Sequence, residues 1–249
     1  MSDLKQAIQR EYLKCASDPV YFMRKYCTIQ HPTKGKVKFD LYPFQEKCLT
    51  TFKDNRYNII LKARQLGIST LSAGYSLWMM LFHNDKNILV IATGKETAKN
   101  LVTKVRVMYE GLPQWLKTNT EEINKLSIRF ANGSQIKAIA SNESAGRSEA
   151  LSLLIIDEAA FIDRIDTIWT AAQQTLSTGG GCIALSTPNG VGNWFHKQWL
   201  GAEERTNQFN TIRLHWTDHP DRDQVWRDEQ DKVLGPTQAA QECDTDFLS

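Results

Sequence analysis

Residues 57–82 read YNIILKARQLGISTLSAGYSLWMMLF. The apolar run at 58–61 is typical of a buried parallel strand. A short polar loop containing Gly67 comes next, and from Leu71 onward Leu, Trp and Met recur at helical spacing. This order predicts a strand, a phosphate-binding loop and a helix, in which backbone N–H groups surround a phosphate at the helix N-terminus.

The loop departs from the P-loop pattern G-x-x-x-x-G-K-[ST] at two positions. Gly67 occupies the second glycine position, and Ser69 occupies the hydroxyl position that reaches Mg²⁺. Lys62 stands at the first glycine position, however, and Ile68 stands at the lysine position. The pattern alone is equally consistent with an ordinary strand–turn–helix. Lys62 and Arg64 keep two cations beside the loop, and either can take over the neutralisation of phosphate.

A second apolar strand, at residues 151–156, leads directly into Asp157 and Glu158. Such a strand delivers its carboxylates to the C-terminal edge of the sheet, where open α/β folds bind ligands. An Asp there holds Mg²⁺, usually through water, and the following Glu orients and deprotonates the attacking water. The alternative is that the pair merely begins the next helix. Its position behind a buried strand, downstream of Gly67, favours the functional interpretation.

Two further polar sites complete the pattern. A strand at 181–185 ends at Ser186 and Thr187, whose hydroxyl groups would sense the γ-phosphate; the alternative is a plain turn before Pro188. Upstream, Gln45 comes directly after Tyr42-Pro43-Phe44 at the start of a predicted helix. A Gln amide matches the N6 and N7 edge of adenine, whereas the alternative is a surface Gln that caps the helix.

The rest of the chain repeats strand and helix signals. They predict helical structure at 3–27, a short strand at 37–41, a strand at 87–92 with a helix to about 109, a hairpin of 126–130 with 135–140, a strand at 209–216 and a helix after Asp221. Repeated βα units indicate an α/β fold with a mostly parallel sheet.

Composition narrows the class of protein. The 249 residues are 41% hydrophobic and 23% charged, which is typical of a soluble globular protein. There is neither an apolar run of ~18 residues nor a signal-peptide core, so we expect no membrane association. The five cysteines are scattered and predict no metal site. Residues 217–249 carry nine acidic and three basic side chains, which leaves 19 acidic and 27 basic in residues 1–216, a balance that permits a polyanionic partner.

With these motifs in order, residues 17–249 resemble the N-terminal ATPase domain of the large terminase subunit of tailed bacteriophages, the motor that packages DNA into proheads. The resemblance is carried by the strings Tyr42-Pro43-Phe44-Gln45, Ala63-Arg64-Gln65-Leu66-Gly67-Ile68-Ser69-Thr70, Ile155-Ile156-Asp157-Glu158-Ala159-Ala160-Phe161-Ile162 and Ser186-Thr187-Pro188-Asn189-Gly190. It implies a P-loop NTPase of the RecA/ASCE-like type, with helices flanking the sheet and a small lid or linker subdomain.

The resemblance also implies roles for individual residues. ATP would be bound by Gln45, Lys62, Ala63, Arg64, Gln65, Leu66, Gly67, Ile68, Ser69, Thr70, Ser186 and Thr187. Mg²⁺ would be held by Ser69 and Asp157, and Glu158 would activate water. Lys62 or Arg64 would act in catalysis in place of the usual lysine, and Arg147 matches an arginine-finger candidate. Residues 186–188 would couple hydrolysis to DNA movement.

The implied partners are double-stranded DNA, the portal protein, the small terminase subunit and further copies of the chain in a ring, all in the host cytoplasm. We expect an ATPase core with an N-terminal helical extension at 1–192, and the C-terminal part of the core plus the lid at 193–249. The nuclease that comes next in such subunits is not found in these residues, so we expect a single ATPase domain or a truncated chain.

Two alternatives remain at this stage. A superfamily 2 helicase has similar motifs, but it needs a second motor lobe after Glu158. A nucleotide-dependent DNA-binding or assembly module with little hydrolysis would explain the missing P-loop lysine, although Asp157 and Glu158 favour an enzyme.

Overall fold

The computed structural model describes residues 3–141 and 149–247. Its helices are α1 Asp3–Ser17, α2 Pro19–Tyr26, α3 Pro43–Asp54, α4 Ile68–Phe82, α5 Lys95–Glu110, α6 Ile165–Leu176, α7 Trp194–Glu203, α8 Gln224–Leu234 and α9 Pro236–Cys243. Its strands are β1 Thr28–His31, β2 Gly35–Lys38, β3 Tyr57–Lys62, β4 Asn87–Ala92, β5 Thr120–Ile123, β6 Ser127–Phe130, β7 Gln135–Ala140, β8 Leu153–Asp157, β9 Gly181–Ser186 and β10 Asn210–Leu214.

One eight-stranded sheet organises the domain, with strand order β10-β3-β9-β8-β4-β7-β6-β5. Neighbours from β10 to β7 are parallel, whereas β6 pairs antiparallel with β7 and with β5. The carboxyl ends of parallel strands meet at one edge of a sheet. The ends of β3, β9 and β8 therefore lie side by side, with β9 in the middle.

Both faces of the sheet are covered, which explains why its central strands are almost continuously apolar. Successive side chains point to opposite faces: Ile60 packs into the core on the side of α3, α4 and α5, while Ile59 and Leu61 pack into the core on the side of α6 and α7. The two cores clamp the sheet, so the strand ends that carry the polar motifs have a rigid base.

Helix α4, which follows the P-loop, is buried along most of its length. The small side of Gly74 faces Met23 of α2, where an added Cβ would lie 2.8 Å from the Met23 sulfur. Trp78 donates its indole N–H to the carbonyl of Cys15 at 2.9 Å. The N-terminal helices therefore pack on α4, which confirms the helical extension that was predicted to pack on something larger.

The structure corrects the boundaries of several predicted elements. The helical stretch 3–27 divides in two, because the Asp18 side chain accepts the Val20 N–H at 2.8 Å and Pro19 begins a new helix. The strand predicted at 37–41 is β2, which ends at Lys38 and pairs antiparallel with the unpredicted β1. The helix after the P-loop begins at Ile68 rather than at Leu71. Strand β5 was not predicted.

Past β9 the chain first completes the core. Helix α7 packs through Trp194 and Phe195, and β10 adds an edge strand beside β3. Residues 215–247, which contain α8 and α9, are here called the C-terminal segment. In the part of the chain that the structure describes, no helix is both long and apolar enough to cross a bilayer.

Candidate functional site

The P-loop runs from the end of β3 to the start of α4. Gln65 and Gly67 both have left-handed backbones, with φ of 57° and 74°. Alternation with such residues turns successive N–H groups to one side and forms an anion-binding nest. Within residues 3–141 and 149–247, no acceptor bonds the backbone N–H groups of residues 65–70. These donors, together with the start of α4, are free to bind a phosphate.

Gln45 contacts the same loop from α3. Its Nε2 donates to the carbonyl of Leu66 at 3.0 Å, and its Oε1 accepts the N–H of Tyr42 at 3.0 Å. The side chain is buried, at 4% exposure. Both ends of the amide are therefore used within the chain, where they tie the P-loop to α3. The contact with adenine that the sequence predicted stays a prediction.

Ser69 and Asp157 meet across the sheet edge, as the motif order predicted. The Ser69 hydroxyl donates to Asp157 Oδ1 at 3.1 Å, although one residue begins α4 and the other ends β8. Burial raises the pKa of the Asp157 carboxyl, and the neighbouring charge of Glu158 raises it further. An oxygen pair at the mouth of a phosphate-binding loop, with one buried carboxylate, is the type of ligand set that suits Mg²⁺.

Glu158 comes next in a left-handed backbone conformation, with φ of 52° and ψ of 48°. A residue with a Cβ adopts this region at a cost, and such strain is concentrated at functional sites. Its Oε1 accepts the Lys62 ammonium at 2.8 Å. Its Oε2 lies 3.4 Å from both the Ser186 hydroxyl and the Thr187 N–H, two long hydrogen bonds. The strands β3, β8 and β9 thus bring their polar ends onto one carboxylate.

Lys62 and Ile68 differ sharply in their surroundings. Lys62 is 5% exposed, and its ammonium reaches the cleft through Glu158. Ile68 is 1% exposed and belongs to the core, so its side chain only packs. The side chains around the mouth enclose an open cleft of about 490 Å³, lined by Lys62, Arg64, Gln65, Thr93, Glu158, Phe161, Thr187 and Glu242. Arg64 therefore also faces the cleft.

Two cations near the site were missed by sequence reasoning. Lys104 of α5 is half-buried; burial lowers its pKa, while the charge of Asp157 raises it. Its place beside the buried stripe of Leu101, Val105 and Met108 was a signal that could have revealed it. Arg222 of the C-terminal segment donates to two P-loop carbonyls. No pattern in the sequence marks that contact. Arg147 lies outside the described residues.

The nest of backbone amides, the Ser–Asp pair and the Glu that follows it define a P-loop nucleoside-triphosphatase fold of the RecA/ASCE-like type. The model of one family matches residues 59–249, and its description is terminase large subunit, T4likevirus-type, N-terminal. The chain therefore belongs to this terminase large-subunit family. Membership confirms the family resemblance and sets aside the helicase alternative.

Individual relatives agree with this assignment. A probable terminase large subunit, gp28 of Escherichia phage Mu, is 26% identical over 168 residues, which are 61% of this chain and 30% of that protein. The large terminase ATPase domain of Thermus phage P74-26 superposes with a TM-score of 0.65 at 20% identity, covering 78% of this chain and 89% of the other. The HK97 bacteriophage large terminase gives 0.66 at 19% identity, covering 90% and 50%.

These structures confirm the predicted fold class. The chain spans about a third of the Mu relative and half of the HK97 structure. The large terminase of another, thermophilic bacteriophage was solved in complex with ADP and with ATP-gamma-S, at 15% and 14% identity and a TM-score of 0.66 in each. Each of these two complexes covers 83% of this chain and 53% of the other.

Proposed function

We propose that this chain is the Mg²⁺-dependent ATPase of a terminase motor that moves double-stranded viral DNA into a prohead. The observation that carries the proposal is the convergence of Lys62, Ser69, Asp157 and Glu158 at the mouth of a P-loop whose amides are free. Nucleotide complexes of the thermophilic phage terminase and the family membership support it.

In the proposed site, the amides of residues 65–70 hold the phosphates of ATP. Ser69 and Asp157 would hold Mg²⁺, which would neutralise charge on the phosphate oxygens. Lys62 would turn from Glu158 to the phosphates, since Ile68 offers no charge. A Glu158 carboxylate released in this way takes the proton of the attacking water, and Ser186 and Thr187 keep it oriented through Oε2.

The remaining assignments rest on family membership. Gln45 would lie near the adenine, and Ser186 and Thr187 would respond to the γ-phosphate. Arg147 would stabilise the transition state as an arginine finger, residues 215–247 would serve as the lid, and the active form would be a ring of copies. Double-stranded DNA, the portal protein and the small terminase subunit are the proposed partners.

The test is an ATPase assay with Mg²⁺, with and without linear DNA, on the wild type and on Glu158→Gln. The variant keeps the shape of the side chain but removes the base, so turnover should fall by roughly 10²–10⁴-fold while ATP still binds. Glu121→Gln, an exposed carboxylate on β5, is the control and should match the wild type. Equal turnover in Glu158→Gln, or no turnover in the wild type, would favour the non-hydrolysing assembly module instead.

A further inference from the structure

We propose that Arg222, in the C-terminal segment, is a positioning residue that orients the P-loop so that its amides face the phosphates. This inference rests on the proposed function, because it assigns a role in the same nucleotide site. It also makes the C-terminal segment part of the phosphate-binding machinery rather than an appendage.

The argument begins with the carbonyls of the loop. The Arg222 guanidinium donates through Nη1 to the carbonyl of Arg64 at 3.1 Å and through Nη2 to that of Gln65 at 3.2 Å. The next carbonyl, of Leu66, accepts from Gln45 Nε2 at 3.0 Å. Three consecutive carbonyls are thus fixed from outside the loop.

Fixing a carbonyl fixes the amide that follows it. In a planar trans peptide, the C=O of one residue and the N–H of the next point in opposite directions. Anchoring the carbonyls of residues 64, 65 and 66 therefore directs the N–H groups of residues 65, 66 and 67 to the other side. Those N–H groups bond no acceptor among the described residues. Arg222 acts on the first two of the three peptide planes.

Arg222 is itself held in place. Its guanidinium carbon lies 4.4 Å from the centre of the Trp226 ring, and the Arg222 N–H donates to the carbonyl of His219 at 3.1 Å. Trp226 packs in turn near Trp216, with ring centres 6.0 Å apart. A planar guanidinium with two parallel donors, stacked on an aromatic ring, is pre-organised to bridge two adjacent carbonyls.

The same segment also fixes the start of the loop. The Arg64 N–H donates to the carbonyl of Glu242 at 2.8 Å, and the Ala63 N–H donates to that of Leu214, just before the segment, at 2.8 Å. The N–H groups of residues 63 and 64 are therefore consumed by protein, while those from 65 onward are left for the ligand. Docking of the C-terminal segment marks where the anion site begins.

A competing explanation is that these contacts only attach the C-terminal segment to the core. Arg227 provides the matched control, because it also lies in this segment but bonds Asp231 and Asp244 and not the P-loop. Arg227→Lys should loosen the segment without touching the loop. Arg222→Met removes the donors but keeps an apolar chain over Trp226. Arg222→Lys keeps the charge but cannot bridge two carbonyls.

The experiment measures the Kd of inorganic pyrophosphate and of ADP by calorimetry on the whole chain, together with the Tm. Arg222→Met and Arg222→Lys should each weaken both ligands by the same factor, about tenfold, because the loss of roughly two hydrogen bonds affects only phosphate contacts. Arg227→Lys should lower the Tm and leave both Kd values within about twofold of the wild type.

Several results would overturn the inference. They are wild-type affinity in Arg222→Lys, equal weakening in Arg227→Lys, loss of ADP but not of pyrophosphate affinity, or no pyrophosphate binding by the wild type. The proposed function fails separately: a wild type that never hydrolyses ATP, yet shows the expected Arg222 effect on pyrophosphate, loses the motor assignment and keeps the positioning role.

Discussion

Lys62 is the residue on which the irregular P-loop depends, since it supplies a cation at a place where the usual lysine position holds a buried isoleucine. Lys62→Ala should abolish ATP turnover and leave Glu158 without its partner. Ile68→Val removes one methylene from the core, so it should cost about 0.5–1.5 kcal/mol of stability and leave turnover near that of the wild type. Steady-state kinetics and urea unfolding measure both effects. The shifted-lysine hypothesis is wrong if the two variants lose turnover equally.

Asp157 exchanges stability for ligand binding. Its folded-state pKa is raised, chiefly by burial, so the ionised form is disfavoured in the native protein and stability declines as pH rises from below the ordinary carboxyl range through the folded pKa. Asp157→Asn should therefore have the higher Tm in the absence of ligand, with a gap to the wild type that widens over that pH interval. It should also bind Mg²⁺-ATP more weakly.

Thermal melts across the pH range, paired with calorimetric titration of Mg²⁺-ATP, check both halves of that prediction. A variant that is less stable than the wild type at neutral pH would show that the Lys62 charge and the Ser69 hydrogen bond outweigh the burial of Asp157.

At this scale the sequence predicted which side chains would meet, because Ser69, Asp157 and Glu158 each sit at a strand end or a helix start. It did not predict the Lys62–Glu158 ion pair or the left-handed backbone of Glu158, since both depend on neighbouring strands. Arg222 was beyond sequence reasoning, because its partners are backbone carbonyls far away in the chain.

Among the elements, the P-loop turn depends on Gly67. Its φ of 74° disfavours any Cβ, and a Cβ would lie 2.8 Å from Gln45 Nε2, which is already bonded to Leu66. Gly67→Ala should therefore cost about 1–2 kcal/mol of backbone strain and, in addition, the Gln45 contact. Gly35→Ala is the control: φ there is 71°, but an added Cβ has no heavy atom within 4 Å.

Urea unfolding of the two alanine variants separates the two effects. Gly35→Ala reports backbone strain alone, so Gly67→Ala should lose more stability and should also weaken pyrophosphate binding. Equal losses, with pyrophosphate binding intact, would mean that the Gln45 tether is dispensable.

Element prediction succeeded where burial writes a clear pattern. Strands β3, β4, β8 and β9 are nearly continuous apolar runs, and each was predicted from the sequence. Strand β5 was missed because all four of its residues are exposed at the end of the sheet, so its side chains carry no alternation. The break between α1 and α2 was missed because apolar spacing continues across Asp18.

For the whole molecule, a sequence-based argument could reach the α/β class but not the strand order. The placement of β9 between β3 and β8 comes from non-local pairing, and it is this placement that sets Ser186 against Glu158. The motif order in the sequence, by contrast, was enough to recognise the family, because each motif is read from a local strand end. Function follows more directly from the chain than topology does.

At the scale of the assembly, we predict that ATP sites are completed by a neighbouring copy through Arg147. An arginine finger supplied in trans contributes roughly 10³–10⁵-fold in rate, because it stabilises charge only in the transition state. Arg147→Ala keeps the P-loop and Lys62→Ala keeps the finger. Mixed under conditions that assemble the ring, each inactive copy should supply what the other lacks, and ATP hydrolysis should partly return.

The mixing experiment separates action in trans from the two other roles of Arg147, a surface ion pair or a finger in its own subunit's site. If rings demonstrably form and the mixture stays as inactive as either variant alone, Arg147 does not act in trans. A mixture of Lys62→Ala with Glu158→Gln is the control, because both changes lie in the same half of the site and neither copy restores the other. For the same physical reason, a wild-type chain held as a monomer should hydrolyse ATP slowly although every motif is intact, and its turnover should rise with protein concentration as copies associate.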